Sequence, residues 1–245
     1  MKHNKKYSYV RGSRIMDHGT RIYDVAGYQL PSVTTILDKT KDKTYLRQWK
    51  EKVGEKRAEE IKNISSQRGT CMHKFLESYI IEKGYEDLTA MGQEAKRMSQ
   101  KVIEIGLAPV SEYFGSEVTV YYPGLYAGAT DLVCRHNDME TIVDFKQSNR
   151  PKREEWITDY KLQVAGYAMA HDYVHKSNIR QAVIMICTPD LYFQEFKLQD
   201  GELRQWKHKF LARVNQYYEI KHDPKEQADV NQSELLEEFE KMAQK

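Results

Sequence analysis

Cysteine is scarce: only Cys71, Cys134 and Cys187 occur in 245 residues, far apart and with no C-x-x-C pair. A zinc knuckle and a thiolate-held iron–sulfur cluster both need closely spaced soft ligands, so neither is expected. An odd, sparse count fits a reducing compartment, and a bacterial or phage-infected host cytoplasm is the expected location. No apolar run reaches the roughly 18 residues of a membrane-spanning helix, so no membrane partner is expected. Lys2, Lys5 and Lys6 make the start of the chain basic, but no apolar segment follows, so it does not read as a secretory signal. There is no internal repeat, no low-complexity tract, and no G-x-S-x-G, P-loop or H-E-x-x-H motif. Nor does one sign of charge dominate. With 38 Lys and Arg against 36 Asp and Glu, the net charge is +2, and any basic surface for nucleic acid must be local.

What is present suffices for a core. Hydrophobic residues make up 40% and charged residues 30%, which argues for a packed chain and against disorder. Residues 7–31 alternate like short strands, with a turn at Ala26-Gly27. From Ser32 to about Ile105 the spacing is helical: "LRQWKEKVGEKRAEEI", "GTCMHKFLESYIIEKG" and a largely polar third segment over 87–105 that ends at Gly106. Ser65 and Ser66 before Gly69 predict a helix break and restart, so that Arg68-Gly69-Thr70 opens a helix with free N–H groups suited to a phosphate. Three strands follow, over 115–122, 126–135 and 139–147, with turns at Pro123-Gly124 and Asn137-Asp138. A helix over 154–175, strands over 181–188 and 191–198, and a helix over 202–221 complete the core. The segment 223–245 carries Leu235, Leu236, Phe239 and Met242 on one helical face. The expected fold is α/β, a small mixed sheet flanked by helices. We expect one domain over 1–245: strands to about 31, a helical part over 32–106, a sheet core over 107–222 and a helical tail.

The stretch "IVDFKQS" (142–148) places Asp144 and Lys146 on one face of an apolar strand. With Asn137-Asp138 as a two-residue turn, pairing follows a constant sum, 136 with 139 and 134 with 141. Asp131 then faces Asp144 at roughly 5 Å between Cβ atoms. Leu132, Cys134, Val143 and Phe145 make the other face apolar, and Val133 and Ile142 flank the acids, so both faces read as buried. A bare Asp-x-Lys reads first as a surface ion pair. Two facing buried carboxylates cost several kcal/mol each unless compensated, and a hard divalent cation between them is the simplest compensation.

Further residues join this pair. His73 and Glu77 share a helical face, as do Tyr160, Gln163 and Tyr167. Taken in order, "PSVTTIL" (31–37), "RGTCMHKFLE" (68–77), "GATDLV" (128–133), "IVDFKQS" and "LQVAGY" (162–167) resemble the PD-(D/E)XK nuclease superfamily. Within it they are similar to the RecB-type exonuclease branch, including the mitochondrial genome maintenance exonucleases and related phage exonucleases. The resemblance spans about residues 30–175. It implies a restriction-endonuclease-like core and a metal held by Asp131, Asp144, the carbonyl of Phe145, His73 and Glu117. It makes Lys146 the catalytic lysine, supported by Gln163 and Tyr167. The implied reaction is Mg²⁺-dependent hydrolysis of DNA, with Mn²⁺ as a substitute, on free ends of single strands in replication, recombination or repair. DNA contacts are expected from Ser32, Thr34, Thr35, Trp49, Arg68, Thr70, Lys74, Lys152 and Arg153, with Trp156 as a second stacking candidate. A structure-selective endonuclease and a non-catalytic DNA-binding accessory protein remain alternatives.

Overall fold

The structure, a computed structural model, describes residues 1–17 and 20–221. In chain order the elements are β1 (Lys2–His3), β2 (Ser13–Asp17), β3 (Thr20–Val25), β4 (Tyr28–Pro31), α1 (Val33–Thr40), α2 (Thr44–Val53), α3 (Glu55–Ile80) and α4 (Ala90–Ile105). Then come β5 (Val110–Tyr122), β6 (Tyr126–His136), β7 (Met139–Gln147), α5 (Thr158–His175), β8 (Gln181–Cys187), β9 (Phe193–Gln199) and α6 (Asp200–Lys221). Six strands form one mixed sheet in the order β1-β5-β6-β7-β8-β9, and β2, β3 and β4 form a separate three-stranded sheet. The pair β7–β8 is parallel, which requires a crossover; α5 supplies it. This mixed sheet with helices on both faces is the α/β, restriction-endonuclease-like core expected from the sequence.

Side-chain alternation sorts the core into two layers. Leu132, Cys134, Val143 and Phe145 pack with Met72, Phe75 and Leu76 of α3 and with Met98 and Val102 of α4. Val133 and Ile142, one residue out of phase, pack with Ile36 of α1, Val164 and Ala168 of α5 and Phe210 of α6. Helices on both faces explain why β7 and β8 read as nearly continuous apolar runs. At the β6–β7 turn Asn137 and Asp138 have φ of 48° and 63°. Two consecutive positive φ values match the twist of a two-residue hairpin and hold its register. His136 pairs with Met139 and Leu132 with Val143, the constant sum expected.

Several boundaries differ from the sequence reading. The helix break falls at Gly54 (φ 86°), between α2 and α3, and α3 runs unbroken through Ser65, Ser66 and Gly69. An interior glycine costs about 1 kcal/mol. The burial of Met72, Phe75, Leu76 and Ile80 further along α3 outweighs that cost. Strand β5 begins at Val110, five residues early, and the long helix begins at Thr158 after a short 3-10 turn over Glu154–Trp156. The expected tail helix over 223–245 lies outside the described residues. Among the described residues no helix is long and apolar enough to cross a membrane.

The first residues of the chain pack against α5. Tyr9 Oη lies 3.0 Å from His171 Nε2, and His171 Nδ1 lies 2.7 Å from Ser177 Oγ. Because Ser177 Oγ donates to Asp172, it accepts from His171 Nδ1–H, which leaves Nε2 to accept from Tyr9. Burial, helped by His175 and Lys6, lowers the His171 pKa from 6.5 to about 3. Between those two values the unfolded chain binds a proton that the folded chain refuses, so the His171 contribution to stability falls as pH drops below 6.5. By pH 5 the expected loss is about 2 kcal/mol. Urea midpoints of both proteins at pH 7 and pH 5 check this: His171→Gln should gain about 2 kcal/mol on wild type between pH 7 and pH 5, since the groups whose folded pKa is raised, Asp144 and His73, shift both proteins alike; an equal pH difference in the two proteins would overturn the assignment.

Candidate active site

Three successive strands each bring one carboxylate to the same row of the sheet. Ser116 pairs with Leu132 and Val118 with Thr130, which brackets Glu117 and Asp131 as opposite neighbours on β5 and β6. The β6–β7 register puts Asp144 next in that row, one step beyond the Leu132–Val143 pair. Instead of a ladder bond at this step, Asp131 Oδ2 accepts the Phe145 backbone N–H at 2.6 Å. Glu117 sits at φ 51°, in the left-handed region that a side chain other than glycine adopts at a cost of about 1–2 kcal/mol. Strain of this kind collects where a side chain is held for a purpose other than stability.

His73, from α3, closes the row from above. Its Nδ1 lies 3.5 Å from Glu117 Oε1 and 3.4 Å from Asp131 Oδ1, and its Nε2 lies 2.9 Å from the Phe145 carbonyl oxygen. One ligand atom from each of His73, Glu117 and Asp131 falls within 4.8 Å of the others. Burial alone would lower the His73 pKa, but Asp131 and Glu117 outweigh it and raise the value to about 10. Burial would raise Asp131, and the His73 ring, Lys146 and the Phe145 N–H hold it below the usual carboxylate range instead.

Asp144 is 1% exposed and bound differently. Its Oδ2 lies 2.5 Å from Lys146 Nζ, and its Oδ1 accepts Gln163 Nε2 at 3.0 Å. Burial pushes its carboxyl up to about 6, Lys146 opposing and Asp131 adding to the rise. Burial would lower Lys146, yet Asp144 and Asp131 raise it. The Lys146 ammonium also sits 5.2 Å from the Tyr160 ring centroid. Gln163 donates its second amide hydrogen to Tyr167 Oη at 3.0 Å. The Tyr167 ring in turn packs on Gly128: a Cβ there would lie 2.5 Å from Tyr167 Cε1. The glycine of "GATD" is therefore required by the tyrosine of "LQVAGY".

The donor set fits a hard divalent cation, since it is carboxylate and carbonyl oxygen with one imidazole nitrogen. Asp144 Oδ2 is buried with the Lys146 ammonium as its partner, and a carboxylate oxygen so placed keeps a second lone pair to offer a cation. Beside the cluster opens a cavity of about 470 Å³, lined among others by Arg14, Thr70, His73, Lys74, Glu117 and Lys146.

Of the residues expected to touch DNA, Thr70 and Lys74 line that cavity and the others lie elsewhere. Arg68 is 7% exposed and faces inward, and Thr70 is mid-helix, its Oγ1 donating to Ser66 O at 3.0 Å. With α3 continuous, no free N–H groups exist at Arg68-Gly69-Thr70, which corrects the phosphate reading of that stretch. Ser32, 2% exposed, caps α1 by accepting Thr35 N–H, and Thr35 Oγ1 donates to Arg21 O. Those two hydroxyls hold α1 and are not available to DNA. Thr34 lines a separate cavity of about 190 Å³ with Arg21 and Lys39. Trp49 is half-buried on α2, Lys152 is half-buried after β7, and Arg153 is exposed with its Cζ 5.3 Å from the Trp156 ring centroid. Arg14 at the cavity mouth was missed in the sequence because it arrives from the separate small sheet, with no motif around it.

Two substitutions separate strain from packing. Glu117→Asn should leave stability unchanged or raise it by up to about 1 kcal/mol, because asparagine tolerates positive φ better. Gly128→Ala should lower stability by roughly 1–3 kcal/mol as Tyr167 is forced away. Denaturant midpoints measure both, with Glu117→Gln as the control that loses the same carboxylate facing His73; an Asn variant no more stable than the Gln variant would show that the backbone is not strained.

No protein-family model matches the chain, and no curated protein matches it. Among solved structures it is similar to a candidate exonuclease from Eubacterium rectale, at 12% identity over 69% of this chain and 79% of that one, with a TM-score of 0.44. It is also similar to an alkaline exonuclease from Laribacter hongkongensis, at 9% identity over 87% and 91% of the two chains, with a TM-score of 0.35. At these scores and identities the likenesses carry no weight for the chemistry of this chain.

Proposed function

We propose that this chain is a divalent-cation-dependent deoxyribonuclease that hydrolyses phosphodiester bonds at free ends of single-stranded DNA. The observation that carries the reading is the meeting of Glu117, Asp131 and Asp144 from three successive strands with His73 and Lys146 beside an open cavity. Those residues come from segments whose order resembles the nuclease superfamily. The preference for free ends and single strands rests on that resemblance alone.

Asp131, Asp144, the Phe145 carbonyl and His73 or Glu117 are the groups that would hold Mg²⁺, or Mn²⁺ in its place. A cation held there would supply positive charge for the scissile phosphate and a lowered pKa for a water. Lys146, fixed by Asp144 and backed by Tyr160, is held where it would orient an attacking water and add positive charge. Gln163 keeps Asp144 Oδ1 in place, and Tyr167 keeps Gln163 in place. Lys74 and Arg14 stand at the cavity mouth, where cations attract the phosphate chain. On the loop after β7, Trp156 is 48% exposed with Arg150 and Arg153 over its ring, a stacking platform for a base; Lys152 on the same loop adds a phosphate contact.

End-labelled linear and circular DNA, single- and double-stranded, with Mg²⁺ or Mn²⁺, tests the reading. Linear single strands should be degraded while circles persist. Asp131→Asn, Asp144→Asn and Lys146→Ala should each lower the rate by roughly 100-fold or more. Nicked circles would replace the exonuclease by an endonuclease, and EDTA-insensitive binding without cleavage would leave a DNA-binding protein. Wild-type cleavage by Lys146→Ala would sink the proposed role of that lysine.

A further inference from the structure

Strand β7 carries its chemistry on one side and its attachment on the other. Asp144 and Lys146 are tied to Gln163 and Tyr160 of α5, whereas Phe145, Gln147 and Asn149, alternating with them, are tied to α3. The attachment to α3 is a seam of hydrogen bonds. His73 meets the Phe145 carbonyl at 2.9 Å. Arg68 Nε donates to Gln147 Oε1 at 3.0 Å, and its Nη2 donates to Asn149 Oδ1. Gln147 Nε2 donates to Ser65 O at 2.9 Å, and Asn149 Nδ2 donates to Ser65 Oγ at 3.1 Å. The third face of the guanidinium pairs with Glu94 of α4 at 2.8 Å. The helix lies in contact with the strand end: a Cβ on Gly69 would meet Gln147 Cγ at 3.4 Å, an ordinary van der Waals distance.

We propose that Arg68 is a positioning residue: it locks α3 against the end of β7 and so sets where His73 stands relative to Asp131 and the Phe145 carbonyl. The inference rests on the cleavage reading and extends it to a group that touches neither DNA nor cation. A buried guanidinium is stable only with its charge paired and its donors met, and here Gln147, Asn149 and Glu94 meet them. Lysine carries the same charge but lacks the planar fork, so it cannot bridge Gln147, Asn149 and Glu94 at once. His73 and Asp144 approach the site from opposite faces of the sheet. The α3–β7 seam therefore sets their mutual distance, and a shift of about 1 Å in such a constellation costs on the order of 100-fold in rate.

The test compares wild type with Arg68→Lys in two ways. Titration with Mn²⁺ alone, by calorimetry or electron paramagnetic resonance, should show the variant binding about tenfold more weakly. Cleavage of linear single-stranded DNA should show kcat reduced about tenfold or more, with KM and its salt dependence within about twofold of wild type. A raised KM and a shallower salt dependence with kcat and Mn²⁺ affinity retained would make Arg68 a DNA contact and overturn the proposal. Wild-type values throughout would overturn it too. If Arg68→Lys does not fold, Gln147→Ala breaks the seam from the strand side, and an unchanged Mn²⁺ affinity there overturns the proposal. A wild-type protein that binds Mn²⁺ but cuts no DNA would end the cleavage reading, and the Mn²⁺ comparison would still decide the role of Arg68. A wild-type protein that binds no Mn²⁺ would end both.

Discussion

The bond from the Phe145 N–H to Asp131 Oδ2 sets up everything around it. It takes the place of a ladder bond between β6 and β7, so the strands stay joined while a carboxylate is kept at the join. That carboxylate is buried and charged, and a buried charge persists only with counter-charge and hydrogen bonds. His73 and Lys146 provide the charge and Phe145 the hydrogen bond. The neighbouring Asp144 is then in the field of Asp131 and deep in the sheet, which is why it leans on Lys146, Gln163 and, through Gln163, Tyr167. Each supporting group in turn constrains its own element: Tyr167 requires Gly128, and His73 requires a helix lying flat across β7.

These requirements explain the architecture. A row of three acids across β5, β6 and β7 needs cover on both faces of the sheet, one face supplying His73 and the other Gln163 and Tyr160. The helices α3 and α5 are that cover, and the parallel β7–β8 pair that α5 connects follows from placing a helix there. Burial of both faces made the strands apolar throughout, so the few charged residues within them stood out. The positive φ of Glu117 is a departure from good strand geometry at the same row. Stability is given up where the three carboxylates converge, and the two apolar layers on either side of the sheet restore it.

Much of the site was legible in the sequence because it depends on two local regularities. The alternation of β structure put Asp144 with Lys146, and the Asn137-Asp138 turn set the register that put Asp131 beside Asp144. Helix spacing joined Gln163 to Tyr167. The less legible parts depend on packing between elements distant in the chain. Ser65, Ser66 and Gly69 look like a helix break by local propensity, yet α3 runs through them because its apolar face is buried on the sheet. The same packing turned Arg68 inward, from an expected phosphate contact to a brace, and turned the hydroxyls of Ser32 and Thr35 into a cap for α1. Arg14 reached the cavity from a separate sheet with no sequence signal at all.

By itself the sequence determined the α/β class, the hairpin register and the acids and lysine on its strands, because strand period and turn chemistry are properties of neighbouring residues. Only the tertiary structure decided that His73 stands within 3.5 Å of both Glu117 and Asp131, that Asp131 binds a backbone N–H in place of a ladder partner, and that Arg68 joins α3 to β7. Those contacts cross up to some eighty positions of chain, and their distances are set by how closely a helix can lie on a sheet. That closeness depends on the apolar layer beneath the helix, which no local pattern encodes.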